Sequence, residues 1–126
     1  MSLLTLYFLF VHWFADFRLQ TEHMALRKST SNYYLGMHVT VYSVVTIFFW
    51  WLCFLITGQH ASVLQYFLAF VALFAMHFAT DYVTSRITGK LYAAKKVGLF
   101  FDVIGIDQWL HYAQIYLVYN FIILNT

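Results

Sequence analysis

Four apolar runs, at 3–17, 33–57, 63–83 and 103–124, occupy most of this 126-residue chain and are joined by short connections. The last three reach the roughly 20 residues that a helix needs to cross a bilayer. The first has the length of a secretory signal's apolar core, but no basic segment precedes it and Asp16 stands where a small-residue cleavage site belongs. It reads as retained, continuing past Phe17 into the interface through Leu19, Met24 and Leu26. With 63% hydrophobic and 10% charged residues, the expected fold is an all-α membrane protein forming one integral membrane domain over 1–126. The expected architecture is a four-transmembrane-helix bundle, with spans near 3–20, 33–57, 63–84 and 103–124 and a short interfacial segment between the third and fourth helices. No proline signals a kink. Cys53, the single cysteine, sits in an apolar run and reads as a packing residue.

Orientation follows from the basic residues. Arg18, Arg27 and Lys28 separate the first two spans, Arg86, Lys90, Lys95 and Lys96 separate the last two, and these are all seven Lys and Arg of the chain. The positive-inside rule therefore places both basic loops in the cytoplasm and both termini outside. A net charge of +2, gathered in two clusters, excludes a nucleic-acid partner and leaves the lipid bilayer as the expected surroundings.

Against that apolar background, ionisable residues recur in helical pairs: His12 with Asp16, His77 with Asp81, and Asp107 with His111, with His38 alone. Residues four apart share a helix face. On the first and third spans the aspartate follows the histidine, and on the fourth, which runs the other way, it precedes it. Every aspartate thus lies on the cytoplasmic side of its histidine. His38, about one and a half turns into its span, falls at the same depth. Ionisable groups are costly inside a membrane and mark sites there. A single embedded histidine is more often an interhelical hydrogen bond than a ligand, but four at one depth over three carboxylates reverse that balance. A proton relay would spread its groups through the whole thickness.

Imidazole nitrogen and carboxylate oxygen suit zinc first, then manganese or iron. The expected metal ligands are His12, Asp16, His38, His77, Asp81, Asp107 and His111, holding one or two divalent transition ions, with Asp16, Asp81 and Asp107 as the catalytic carboxylates. Some of these aspartates would serve instead to orient histidines. Gln20, Lys28, Arg86 and Gln108 are the candidate substrate-binding residues at the cytoplasmic mouth, with Gln114 nearby. The segment 90–101 reads as an amphipathic connector beside that mouth, with Gly89, Gly98 and Gly105 permitting turns at its edges.

The segment His12-Trp13-Phe14-Ala15-Asp16-Phe17-Arg18-Leu19-Gln20-Thr21, with Met24-Ala25, Lys28, His38, His77-x-x-x-Asp81 and Asp107-Gln108-x-x-His111, resembles the domain-of-unknown-function 3307 family of small phage and bacterial membrane proteins. It is distantly similar to inner-membrane proteins proposed to be metal-dependent hydrolases, which implies a bacterial inner-membrane location and hydrolysis by analogy. His77 to Asp81 is also similar to the H-x-x-x-D ending of phosphatidate phosphatase type 2 enzymes. The lysine-rich and P-S-G-H motifs of that superfamily are missing, and the assignment is rejected. The function expected is a small membrane metal-dependent hydrolase acting on a phosphate ester or another anionic substrate, lipid-linked or small, at the inner leaflet. The alternatives are a non-enzymatic membrane effector with a structural metal or polar cluster, and ion or metal transport, which in so short a chain would need a homo-oligomer.

Overall fold

The computed structural model describes residues 3–124. Among them all regular structure is helical: α1 (Leu3–Trp13), a π-helical turn (Phe14–Arg18), α2 (Glu22–Arg27), α3 (Asn32–Thr57), α4 (Val63–Ala93), α5 (Val97–Val118) and a second π turn (Tyr119–Ile123). Two helices, α3 with 26 residues and α4 with 31, are long and apolar enough to cross a membrane. Four such helices were expected. The first run falls short because α1 ends after 11 residues, and α5 because Asp102, Asp107, Gln108, His111 and Gln114 dilute its apolar character over 22 residues.

Two local signals set the long hairpin. Gly58 ends α3 in the left-handed conformation, φ 69°, which a residue without Cβ adopts freely. Ser62 then starts α4 with a reciprocal capping box: its Oγ accepts from Gln65 N at 3.2 Å, and Gln65 Oε1 accepts from Ser62 N at 2.6 Å. Such a cap contributes on the order of 1 kcal/mol. The connection is short, so α3 and α4 lie antiparallel.

The connector expected at 90–101 is absent as a separate element. Its two ends belong to α4 and α5, which are joined by a tight turn in which Lys95 adopts φ 55°. Gly89, Gly98 and Gly105 all lie inside helices, so none of them makes the turn. The first span also differs from an uninterrupted helix over 3–20. It widens into the π turn and breaks, and Thr21 caps α2 by accepting from Met24 N at 3.3 Å. Buried Met24 anchors α2.

One end of the core reverses the pattern of a soluble bundle. Four histidines, two aspartates, Ser43, Thr46, Ser85 and Gln114 are buried, while Val44, Phe48, Trp51, Leu55, Phe67, Leu68 and Val71 are exposed. Toward the Gly58 end the interior is apolar: Trp50, Phe54, Leu73, Ile115, Val118 and Tyr119 pack together, with Phe8 edge-on to Tyr119 at 4.7 Å between ring centroids. Tyr7 donates to the Phe49 carbonyl at 2.5 Å, tying α1 to α3. Gln65 donates to the Ile123 carbonyl at 2.8 Å, satisfying the end of the second π turn.

Candidate metal centre

Each long element delivers its part by helical spacing. His12 and Asp16 come from α1 and its π turn, His38 from α3, His77 and Asp81 from α4, and Asp107 and His111 from α5. All seven expected ligands meet in one cluster, as three overlapping sets of close donor atoms: Asp16, His38, His77 and Asp81; His12, Asp16 and His111; Asp81, Asp107 and His111. The four histidines are at most 1% exposed, Asp16 4% and Asp81 2%. π turns inside helices are frequent at functional sites, and this one carries Asp16 inward.

Five of the six donor-to-donor spacings in the first set lie between 2.9 and 3.6 Å. His38 Nε2 lies 3.3 Å from His77 Nε2, 3.3 Å from Asp81 Oδ2 and 2.9 Å from Asp16 Oδ1. His77 Nε2 lies 3.4 Å from Asp81 Oδ2 and 3.6 Å from Asp16 Oδ1. A tetrahedral zinc ion with bonds of about 2.0–2.1 Å needs ligand atoms roughly 3.3–3.4 Å apart. Asp16 Oδ1 has no aligned hydrogen-bond donor despite its close neighbours. Buried polar atoms that converge without pairing are costly unless something else satisfies them.

The same two carboxylates reach a second group of donors through their other oxygens. Asp81 Oδ1 is 3.3 Å from His111 Nε2, and Asp16 Oδ2 is 3.9 Å from His12 Nε2. Neither ring nitrogen of His111 makes a hydrogen bond. Asp107 Oδ2 stands 3.5 Å from His111 Nδ1, while its Oδ1 accepts from Thr84 Oγ1 at 2.5 Å. Asp107 is thus held close enough to orient the His111 ring on a small movement. His12 is placed by Gln108 Oε1, 2.8 Å from its Nε2, and by the Tyr42 hydroxyl, 3.4 Å from its Nδ1.

Lys28, at the end of α2, places Nζ 3.0 Å from Asp81 Oδ2. Burial would push this ammonium down, but the Asp81 and Asp16 carboxylates beside it outweigh burial and raise it above the ordinary lysine range. With neutral imidazoles, three ionised carboxylates against one ammonium leave two negative charges, the complement of one divalent ion.

A cavity of about 180 Å³ opens beside the cluster. Asp16, Asp81, Asp107, Lys28, Gln20 and Gln108 line its polar side together with Thr84, Ser85 and Thr88, and Phe17, Phe100 and Ile104 line the other. Gln20 Oε1 and Ser85 Oγ are buried without a partner. Three of the four expected substrate residues therefore face the cavity. Arg86 does not: it lies over the Tyr82 ring at 3.7 Å and donates to Asn32 Oδ1 at 2.7 Å, tying α4 to α3. Gln114 is also elsewhere, donating to Thr80 Oγ1 at 2.6 Å. Sequence reasoning missed Tyr42, Thr84 and Ser85, although Tyr42 follows His38 by four residues and Ser85 follows Asp81 by four.

The family described as "Protein of unknown function (DUF3307)" matches residues 4–126. The chain belongs to that family. The match takes in every residue of the cluster, from His12 to His111, so in this DUF3307 member the site belongs to the shared domain and not to an appended segment. Neither a curated protein nor a solved structure matches the DUF3307 chain. Its chemistry must therefore be argued from its residues, and the distant likeness to hydrolases gains no support.

Proposed function

We propose that this DUF3307 protein is a metal-dependent hydrolase of the bacterial inner membrane, built as a four-span bundle and binding zinc in preference to manganese or iron. The observation that carries the reading is the close set of His38, His77, Asp16 and Asp81, five of whose donor spacings, at 2.9–3.6 Å, bracket those of a tetrahedral zinc site. The two residual negative charges around it favour a divalent cation. A second ion would be held by Asp16, Asp81, His12 and His111.

When bound, an ion would lower the pKa of water and supply positive charge for a developing oxyanion. The chain's own groups do the rest. Lys28 draws an anionic substrate into the cavity and balances the charge of a phosphoryl oxygen. Asp107, lining the cavity and braced by Thr84, accepts a proton from the attacking water. Gln20, Gln108 and Ser85 hold the remaining substrate oxygens. The exposed apolar faces of α3 and α4 around a partly polar interior support immersion in lipid. The seven basic residues support cytoplasmic loops and external termini.

Detergent-purified protein should contain one or two zinc or manganese ions per chain by elemental analysis and hydrolyse members of a phosphate-ester and carboxylic-ester panel. Protein that holds no ion even after dialysis against zinc or manganese sinks the reading. One observation favours a second reading, a membrane effector stabilised by a structural metal: the cluster joins every long helix of the bundle. Asp107→Asn separates the two, since loss of turnover with folding and metal retained means catalysis, whereas loss of folding means a structural joint.

A further inference from the structure

The site cavity is closed on one side by Phe100, and that ring is also the wall of a second depression at the α4–α5 turn. The second depression, about 670 Å³, is lined by Tyr92, Ala93, Lys95, Val97, Phe100 and Phe101. Tyr92 (74% exposed) and Phe101 (63%) are open to the surroundings. Phe100 is half-buried between them, with ring centroids 5.7 Å from Tyr92 and 5.3 Å from Phe101. An aromatic row thus leads from the outside of the turn to the wall of the site. Lys95 is the charged residue on this groove, and no carboxylate lines it.

The two spaces differ in what they accept. The inner one, at about 180 Å³, is well below the roughly 300–1,000 Å³ of pockets that enclose drug-sized ligands. It takes a small anionic head in front of Lys28, not a whole molecule. The outer one is apolar, cationic at its rim and open on the side of the basic loops, where acyl chains meet head groups. A free sugar phosphate or nucleotide has no use for it.

We infer that the substrate is a lipid phosphate monoester, with its phosphate in the inner cavity and its hydrocarbon chain passing over Phe100 into the groove of Tyr92, Val97 and Phe101. The inference rests on the hydrolase reading. The step balances without an oxidant or reductant: the oxygen of water bonds to phosphorus, the bond from phosphorus to the lipid oxygen breaks, and its electron pair leaves on that oxygen. One water proton ends on the lipid oxygen, giving a lipid alcohol and inorganic phosphate.

The test reconstitutes the zinc-loaded full chain in phosphatidylcholine vesicles containing a phosphatidate with a diazirine midway along one acyl chain, then maps the photo-adducts by mass spectrometry. Adducts are expected to concentrate on residues 92–101 and to fall at least tenfold with excess unlabelled phosphatidate. Diacylglycerol alone, which lacks the phosphate, should leave them unchanged. Labelling spread over the outer faces of α3 and α4 without competition, or equal competition by diacylglycerol alone, overturns the inference. Lys95→Glu, an exposed substitution that spares the core, should reduce the competed adduct severalfold, and an unchanged adduct counts against the assignment. Soluble phosphate esters turned over with no competed adduct would defeat the lipid assignment alone. A competed adduct with no phosphate release from any ester would defeat the hydrolase reading alone.

Discussion

Lys28 Nζ lies 3.0 Å from Asp81 Oδ2, the same oxygen that belongs to the close donor set with His38 and His77. One carboxylate oxygen would thus be shared between a fixed protein cation and any ion held by this set. The two cations would repel each other, while the three acids around them would be balanced by both.

Lys28→Gln should therefore act in opposite directions on two measurements. Metal-free protein should lose about 1–2 kcal/mol in thermal or denaturant unfolding, less than a fully buried broken pair because the lysine side chain keeps 21% exposure. Zinc affinity, read by competition with a chelator, should rise about tenfold, a change of about 1.4 kcal/mol. Unchanged affinity would mean that Lys28 and the ion do not share Asp81.

His77→Ala and Asp81→Asn should each lower zinc occupancy to near zero at micromolar metal, because both atoms belong to the same donor set. Elemental analysis of folded, monodisperse protein checks this. Full occupancy in His77→Ala would place the ion outside this set.

Thr84→Val removes the hydroxyl that holds Asp107 Oδ1, leaving every proposed ligand in place. Loss of a group that braces a metal-ligating histidine costs typically about 10–100-fold in affinity or activity. A drop of that size in turnover is expected, with Thr84→Ser restoring most of it. Equal effects of Val and Ser would point to packing.

Retention of zinc should weaken as the medium is acidified from about pH 7.5 to about pH 5.5, through the ordinary imidazole range. Protons and the ion compete for the same nitrogens, so binding also releases protons. Chelator competition across that range reads the trend, and pH-independent retention would exclude histidine ligation.

The chain termini distinguish four spans from two. In a Cys53→Ser background, Leu3→Cys should react with a membrane-impermeant maleimide added outside the cell, and Lys95→Cys should not. A protected Leu3→Cys would mean that only the α3–α4 hairpin crosses.

Much of the site was legible because helical spacing is a local property. His12, His77 and His111 each carry an aspartate one turn away, and the direction of each run fixes which lies deeper, so convergence followed once the helices were antiparallel. The π turn was not legible. Nothing in Phe14–Arg18 breaks a helix by composition, and the widening coincides with the approach of Asp16 to His38 and His77, which lie on other helices. Arg86 was misplaced for a related reason: it follows Asp81 by five residues, which turns it toward Asn32 and away from the cavity. Thr84 escaped notice because its partner, Asp107, comes from another helix. The turn between α4 and α5 was read as an amphipathic segment because its aromatics and lysines alternate, whereas the helices continue almost to the reversal at Lys95.

The close set takes its four atoms from the α1 region, α3 and α4, and none from α5. A chain emerging from the ribosome thus carries a full donor set before its last helix has been made. Capture of an ion at that moment would fasten the first three elements together, and α5, arriving with His111 and Asp107, would seal the ion in. Order of synthesis and order of loading would then be the same, and cells starved of metal should accumulate this protein with its first three elements loosely joined.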